Sequence, residues 1–288
     1  MKTAATLPTP WFAPAWLVRF LRSPISTVVG SLLVLVVVAG VILAPLITHA
    51  DPMALSSDTL LEPAWAHPMG TDDLGRDELA RVLYGGRASL VIGLFSALLS
   101  VILGMTIGMV AGFFGGAIDE TLMRITEAFQ ILPKLLVAVV VVSLIGSGLT
   151  NEVLVIGLLS WPATARVIRG RVQVIRHEEF IAAAEMSGAS WLRVLVRHVA
   201  PNVVSFLLVS ASLQVASAIM SESFLSFLGL GDPAHPSWGL LLQQGQLFLS
   251  DAWWLTTFPG IALAMTILGL NLLGDGVSGS RIVAGSRR

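Results

Sequence analysis

Four stretches of this chain run without a charged side chain for long enough to cross a bilayer. No Asp, Glu, Lys or Arg occurs between Arg22 and Asp51, between Arg87 and Asp119, between Arg197 and Glu222, or between Asp251 and Asp275. A helix needs about 20 apolar residues to span the hydrocarbon core, and a helix satisfies its own backbone hydrogen bonds where no water can. The composition agrees. Of 288 residues, 55% are hydrophobic and 12% charged, against about 25% charged in soluble domains. That is too little polar surface to solvate a globule of this size.

Two shorter uncharged runs, Lys134 to Glu152 and Glu152 to Arg166, read as further helices whose charged ends lie near an interface or inside a bundle. The expectation is an all-α, polytopic integral membrane protein with about six transmembrane helices. They are placed near 28–48, 88–113, 131–148, 152–169 and 202–227, with a last one ending near Leu273. Five spans is the competing count, the fourth being the doubtful one. Asp119, Glu120, Arg124 and Glu127 are assigned to a cytoplasmic or interfacial stretch ahead of the third helix. The first apolar run, Val28 to Ile47, exceeds the apolar core of a signal peptide and ends in Thr48-His49-Ala50, a poor cleavage site. It reads as an uncleaved anchor.

Lys and Arg are retained in cytoplasmic loops. Residues 1–27 carry three basic groups and no acidic one, and residues 166–197 carry six arginines against three glutamates. The stretch 51–87 carries seven acidic groups against three arginines, and 222–251 carries three acidic groups and no basic one. Six helices with both termini cytoplasmic satisfy all of these biases. The division that follows is a cytoplasmic N-terminal arm at 1–27, a membrane domain at 28–280 and a cytoplasmic tail at 281–288. Within the membrane domain, 51–84 is an external segment, 170–200 a cytoplasmic loop and 229–252 an external loop.

Several function classes are disfavoured. A net charge of −1 gives nucleic acid no basic face to bind. With no cysteine, disulfides and thiolate metal sites are excluded. The only lysines, Lys2 and Lys134, do not follow a glycine, so no phosphate-cradling P-loop exists. Gly276-Val277-Ser278-Gly279 spells a serine-hydrolase-like motif, but a nucleophilic serine needs a base and no histidine follows His235. A stand-alone secondary transporter or channel wants charged or polar groups at mid-membrane. The four long runs hold no charge, so this stays a remote alternative.

The segment EEFIAAAEMSGASWLRVLVRHVAPN, Glu178 to Asn202, is a polar insert in an apolar chain. Glu178 and Glu179 suit a helix N-terminus. Gly188 suits a left-handed helix end, and Ser190 a following N-cap. Leu192, Leu195, Val196 and Val199 then form one stripe and Arg193 and Arg197 another, with Pro201 before the next span. Two short helices at an angle make a knob for a partner's groove; an amphipathic loop resting on anionic lipid explains the pattern equally well.

The insert resembles the Glu-Ala-Ala loop of binding-protein-dependent ABC importer permeases. Ala183 and Ala184 match its alanines and Gly188 its glycine, while Ala182 stands where the motif glutamate belongs. Arg193, His198, Pro201 and Asn202 fit the downstream pattern. A second run, HPMGTDDLGRDELARVLYGGRASL from His67 to Leu90, resembles the dipeptide, oligopeptide and nickel subfamily, specifically its second ("C-type") permease. So do Ser223 to Gly245 and Phe258 to Gly276. The tail VSGSRIVAGSRR departs from the subfamily's usual acidic, basic and proline-containing end.

The resemblance implies a type I ABC importer permease fold in a bacterial inner membrane, with no catalysis in this chain. It implies an ATPase-coupling loop with Glu179, Ala183, Ala184, Gly188, Ser190, Arg193 and His198. The implied partners are a homologous second permease, two ABC ATPase subunits that bind ATP and Mg, an external solute-binding protein and the lipid bilayer. The expected cargo is a di- or oligopeptide, with nickel or a metal chelate as the alternative. No substrate ligand is assigned. Asp72, Asp73, Arg76, Asp77 and Arg81 read as an ion-pair network that locks the external segment, with direct substrate contact as the alternative, and not as a metal site. Gly104, Gly108 and Gly112 read as a helix-packing face. Pro133 and Pro162 read as helix starts or kinks. Trp238, Trp253 and Trp254 suit an external interface belt, with ordinary anchoring as the plainer reading, and Glu222 reads as either path-lining or interfacial.

Overall fold

The structure is a computed structural model that describes residues 25–285. The expected arm up to residue 24 and the last three residues lie outside it. The regular structure of the described residues is helical, with one isolated bridge between Thr71 and Asp77 as the only extended pairing among them. Helix α1 (Ile25–Ile42) continues into a short α2 (Ala44–Ile47). A largely irregular segment leads to α3 (Glu78–Phe114), which begins earlier than the charge pattern suggests because Asp77 caps it: its carboxylate accepts from the Ala80 N–H at 2.8 Å. Then follow α4 (Gly116–Ile131), α5 (Lys134–Ile145) and α6 (Leu149–Ile175). The insert forms α7 (Glu179–Met186) and α8 (Trp191–Val194), which passes through a π-turn at Leu195–Val199 into α9 (Ala200–Leu225). A second π-turn at Ser226–Leu230 precedes α10 (Trp238–Gly245), and α11 runs from Trp254 to Gly285, past its expected end near Leu273.

Five of these helices are long and apolar enough to cross a membrane, and α4 with α5 makes a sixth if the pair is one span. The fourth expected helix is therefore secure, as α6. The unusual one is the third. It begins at Gly116, not near 131, and bends by 81° around Leu132-Pro133. Proline has no N–H to donate and disfavours helical backbone in the residue before it, and Leu132 is indeed extended. The pair crosses rather than turns back. Asp119 lies beside Arg169, near the insert end of α6. Ten residues on, Phe129 lies 5.4 Å from Trp161, nearer the other end of α6. Beyond the bend, α5 joins the cluster of Ile92, Val155, Ile156 and Leu225 at the end remote from the insert. Asp119, Glu120, Arg124 and Glu127 thus belong to the span and not to a loop before it.

Helices α3 and α6 run side by side in the same direction. A Cβ on Gly104 would meet the Thr164 Cβ at 2.5 Å, one on Gly108 the Ala165 carbonyl at 2.5 Å, and one on Gly112 the Arg169 carbonyl at 2.7 Å. The three glycines are packing positions, and only a hydrogen atom fits at each. Gly30 meets Gly269 and Leu273 in the same manner, joining α1 to α11.

Candidate functional site

The insert is a rigid knob seated on the α3–α6 pair. Helix α7 ends in paired hydrogen bonds: the Gly188 N–H donates to the Glu185 carbonyl at 2.9 Å and the Ala189 N–H to the Ala184 carbonyl at 3.1 Å. That is the Schellman arrangement, which needs a left-handed residue after the helix; Gly188 has φ +78. Ser190 occupies the N-cap position of α8 with extended backbone, but its side chain makes no cap bond; its carbonyl receives the Val194 N–H instead. Glu179 lies in the first turn of α7.

The inward side chains of the knob, Ile181, Val194, Leu195 and Val199, are buried against Phe113 of α3 and Ile168 and Val172 of α6. Its outward face leaves Met186 84%, Val196 61%, Trp191 55% and Leu192 53% exposed. Ala183, Gly188, Ser190 and Arg193 are exposed on the same knob, Ala184 is half-buried, and His198 packs at 6.5 Å from the Phe180 ring. The seven expected coupling residues are thus gathered on one small element. Sequence reasoning did not anticipate the groove at its base, of about 900 Å³, bounded by Gly170, Gln173, His177, Glu178, Glu179 and Phe180. Only the folded α6–α7 corner creates it.

Residues 104–279 match the family described as "Binding-protein-dependent transport system inner membrane component". The chain belongs to this permease family. Among curated relatives, the Oligopeptide transport system permease protein OppC of Escherichia coli is 42% identical over 267 residues, covering 90% of this chain and 87% of the relative. The Di/tripeptide transport system permease protein DppC of Pseudomonas aeruginosa is 37% identical, covering 86% and 84%. The Glutathione transport system permease protein GsiD of Pectobacterium atrosepticum is 36% identical, covering 93% and 89%. With its membrane-crossing helices and this family, the chain is a multi-pass inner-membrane permease.

At the opposite end of the permease, the segment between α2 and α3 is locked from within. Asp72 pairs with Arg76 (2.6 Å) and Arg81, and Arg81 also reaches Gln244 of α10. Asp77 pairs with His67 at 2.9 Å rather than joining that network. Asp73 forms no ion pair among the described residues. Gly70 and Gly75 take positive φ at turns where a Cβ would strike Trp254 and Ser56 respectively. Of the five residues expected to form one network, Asp72, Arg76 and Arg81 do so, and Asp73 and Asp77 do not.

The tryptophan belt needs correcting. Trp238 and Trp254 are 1% exposed, and their indole N–H groups donate to the carbonyls of Val82 (2.9 Å) and Thr71 (3.1 Å). Only Trp253, 52% exposed, suits an interface. Glu222 opens onto no surface of this chain. It is fully buried in a ring of hydroxyls, with Ser226 donating at 2.8 Å and Ser223 at 3.2 Å, and Ser89 and Ser237 bonding to it as well. A buried carboxylate so supplied with donors fastens α9 to α3 and to the start of α10.

Proposed function

We propose that this chain is one of two homologous permease subunits of an ATP-driven importer of short peptides. The insert faces the cytoplasm and seats in a cleft of an ATPase subunit. The observation that carries this reading is the knob itself: its inner face is packed on α3 and α6 and its outer face presents Met186, Trp191, Leu192 and Val196 to a partner. Apolar exposure of that kind, rimmed by Glu179, Arg193 and Arg197, suits a protein interface better than lipid headgroups. Closure of two ATPase subunits on ATP would push the knob, and the packed α3–α6 pair would carry that push into the membrane as a two-state rocking motion. ATP and Mg belong to those partners, and this chain contributes no chemistry. An external solute-binding protein would deliver cargo to the side of the 51–84 and 229–252 segments, and both termini would be cytoplasmic.

The relatives above are named for oligopeptides, di- and tripeptides, and glutathione, which supports a peptide cargo and lends nothing to nickel. Gly188 tests the coupling role. No atom lies within 4 Å of a Cβ there, so the chain itself leaves room for a large side chain and only the backbone is strained, by about 1–2 kcal/mol. Gly188→Trp is expected to insert and fold but to lose ATP-driven peptide uptake in proteoliposomes. Full uptake by that variant would remove the insert from the coupling role.

A further inference from the structure

Helix α4 has three faces. Asp119, Met123 and Thr126 are buried against the bundle. Ile118, Ile125 and Phe129 form an exposed apolar face. Glu120, Arg124 and Glu127, spaced four and three residues apart, form an exposed charged face about half a turn away from the apolar one. Arg124 and Glu120 are 75% and 71% exposed, with a loose 3.5 Å contact between them. The buried face is held hard: Arg169 grips Asp119 through two bonds of 2.5 and 2.6 Å, and Gln173 adds a third at 3.4 Å. That grip fixes the rotation of α4 and so fixes where the charges point. They border a cavity of about 540 Å³ that Arg166 and Arg169 of α6 complete. Glu127 and Arg166 form no ion pair among the described residues.

Depth gives this face its meaning. Phe129 is level with Trp161, whose carbonyl lies over Gly104, well inside α3. Glu127 is barely half a turn below. A charged side chain at such depth does not face lipid; it faces water or protein, and Arg124 and Glu120 continue the same face one and two turns nearer the insert end. The apolar face of α4 is already there to meet hydrocarbon or a packed neighbour.

We propose that Glu120, Arg124 and Glu127 of α4, with Arg166 of α6, line the water-filled inner part of the solute pathway and engage a zwitterionic solute through both signs of charge. A short peptide carries an ammonium at one end and a carboxylate at the other, and the two carboxylates and two guanidiniums of this face match that pattern without fixing a side-chain identity. The assignment of solute class rests on the importer reading above; the aqueous character of the face does not.

The chain contains no cysteine, so each single replacement supplies its only thiol. In the assembled importer in membranes, Glu120→Cys and Glu127→Cys are expected to react with a water-soluble, membrane-impermeant thiol reagent at least about tenfold faster than Ile125→Cys on the apolar face, because a thiol ionises and reacts only where it is solvated. Uptake of labelled trialanine by the Glu120→Gln/Glu127→Gln variant and by the Arg124→Gln/Arg166→Gln variant is expected to fall about fivefold, the scale of a solvent-exposed charge contact. Bound ATPase should be retained, and N-acetylated trialanine amide should show no such dependence. Unreactive cysteines at 120 and 127 would overturn the proposal by showing the face covered by the partner permease. Reactive cysteines with trialanine uptake unchanged in both variants would overturn the contact with solute. Reactive cysteines in the Glu120→Cys and Glu127→Cys variants, together with a wild-type importer that takes up no trialanine, would support the aqueous face and overturn the peptide as its cargo.

Discussion

Asp232 holds the loop after α9 through its neighbours. Burial alone would raise its carboxyl. The hydrogen bonds from His235 and from the backbone N–H groups of Ala234 and Leu149 more than offset that and keep it below the ordinary aspartate value. The Leu149 bond places this carboxylate at the N-terminus of α6, where a negative charge is favoured. A carboxyl whose pKa is lower folded than unfolded lends stability above its unfolded value, and that stability is lost as pH falls through the folded value. Hydrogen exchange of residues 231–237, corrected for intrinsic rates, should therefore stay flat from neutral pH down to about 5 and rise only below about 4. Asp232→Asn should abolish that acid step. An opening already present near neutral pH would show that another group governs the loop. Single residues were only partly legible from the sequence. Gly188 declared itself by its place between two helical patterns. Glu222 and Trp238 did not, because a buried carboxylate ringed by serines and a surface one look alike until distant segments meet.

At the scale of elements, the α3–α6 pair and its clamp on α4 are the parts to test. Gly108 has the Ala165 carbonyl where a Cβ would go, whereas Gly170 has open space. Gly108→Val should thus destabilise the permease by about 1–3 kcal/mol, seen as a lower midpoint in a thermal aggregation assay, while Gly170→Ala should leave it unchanged. Equal behaviour of the two variants would contradict the close packing of α3 on α6. Asp119→Asn removes the charge that holds Arg169, whose side chain is one-third exposed. The cost should be about 1–2 kcal/mol once that exposure is discounted, and proteases should cut α4 faster in this variant while leaving α9–α11 unaffected. Undisturbed protease resistance in α4 would show that its apolar contacts alone hold it. The α4–α5 span is also where charge counting failed. Charges inside a span break the apolar run that marks it, so Glu120, Arg124 and Glu127 disguised a membrane helix as a loop. The insert was legible as helix, glycine and helix, since capping is local. Its seat on Phe113, Ile168 and Val172 was not, since it needs α3, whose Phe113 lies more than fifty residues before the insert, to pack beside α6.

For the whole molecule, the membrane class followed from the uncharged runs, and five spans stand where those runs or their flanking charges put them. The knob, the α3–α6 pair beneath it and the charged face of α4 beside that pair adjoin one another, and in the proposed importer they would carry a soluble partner's push into the membrane. The proposed importer requires the chain to work inside an assembly. The most direct measurement is native mass spectrometry of the tagged chain purified in mild detergent from its own membranes. It should show one copy of this chain with one homologous permease and two ATPase subunits, and Gly188→Trp should weaken or lose the ATPases. A chain that purifies alone, and alone moves solute across reconstituted vesicles, would contradict it.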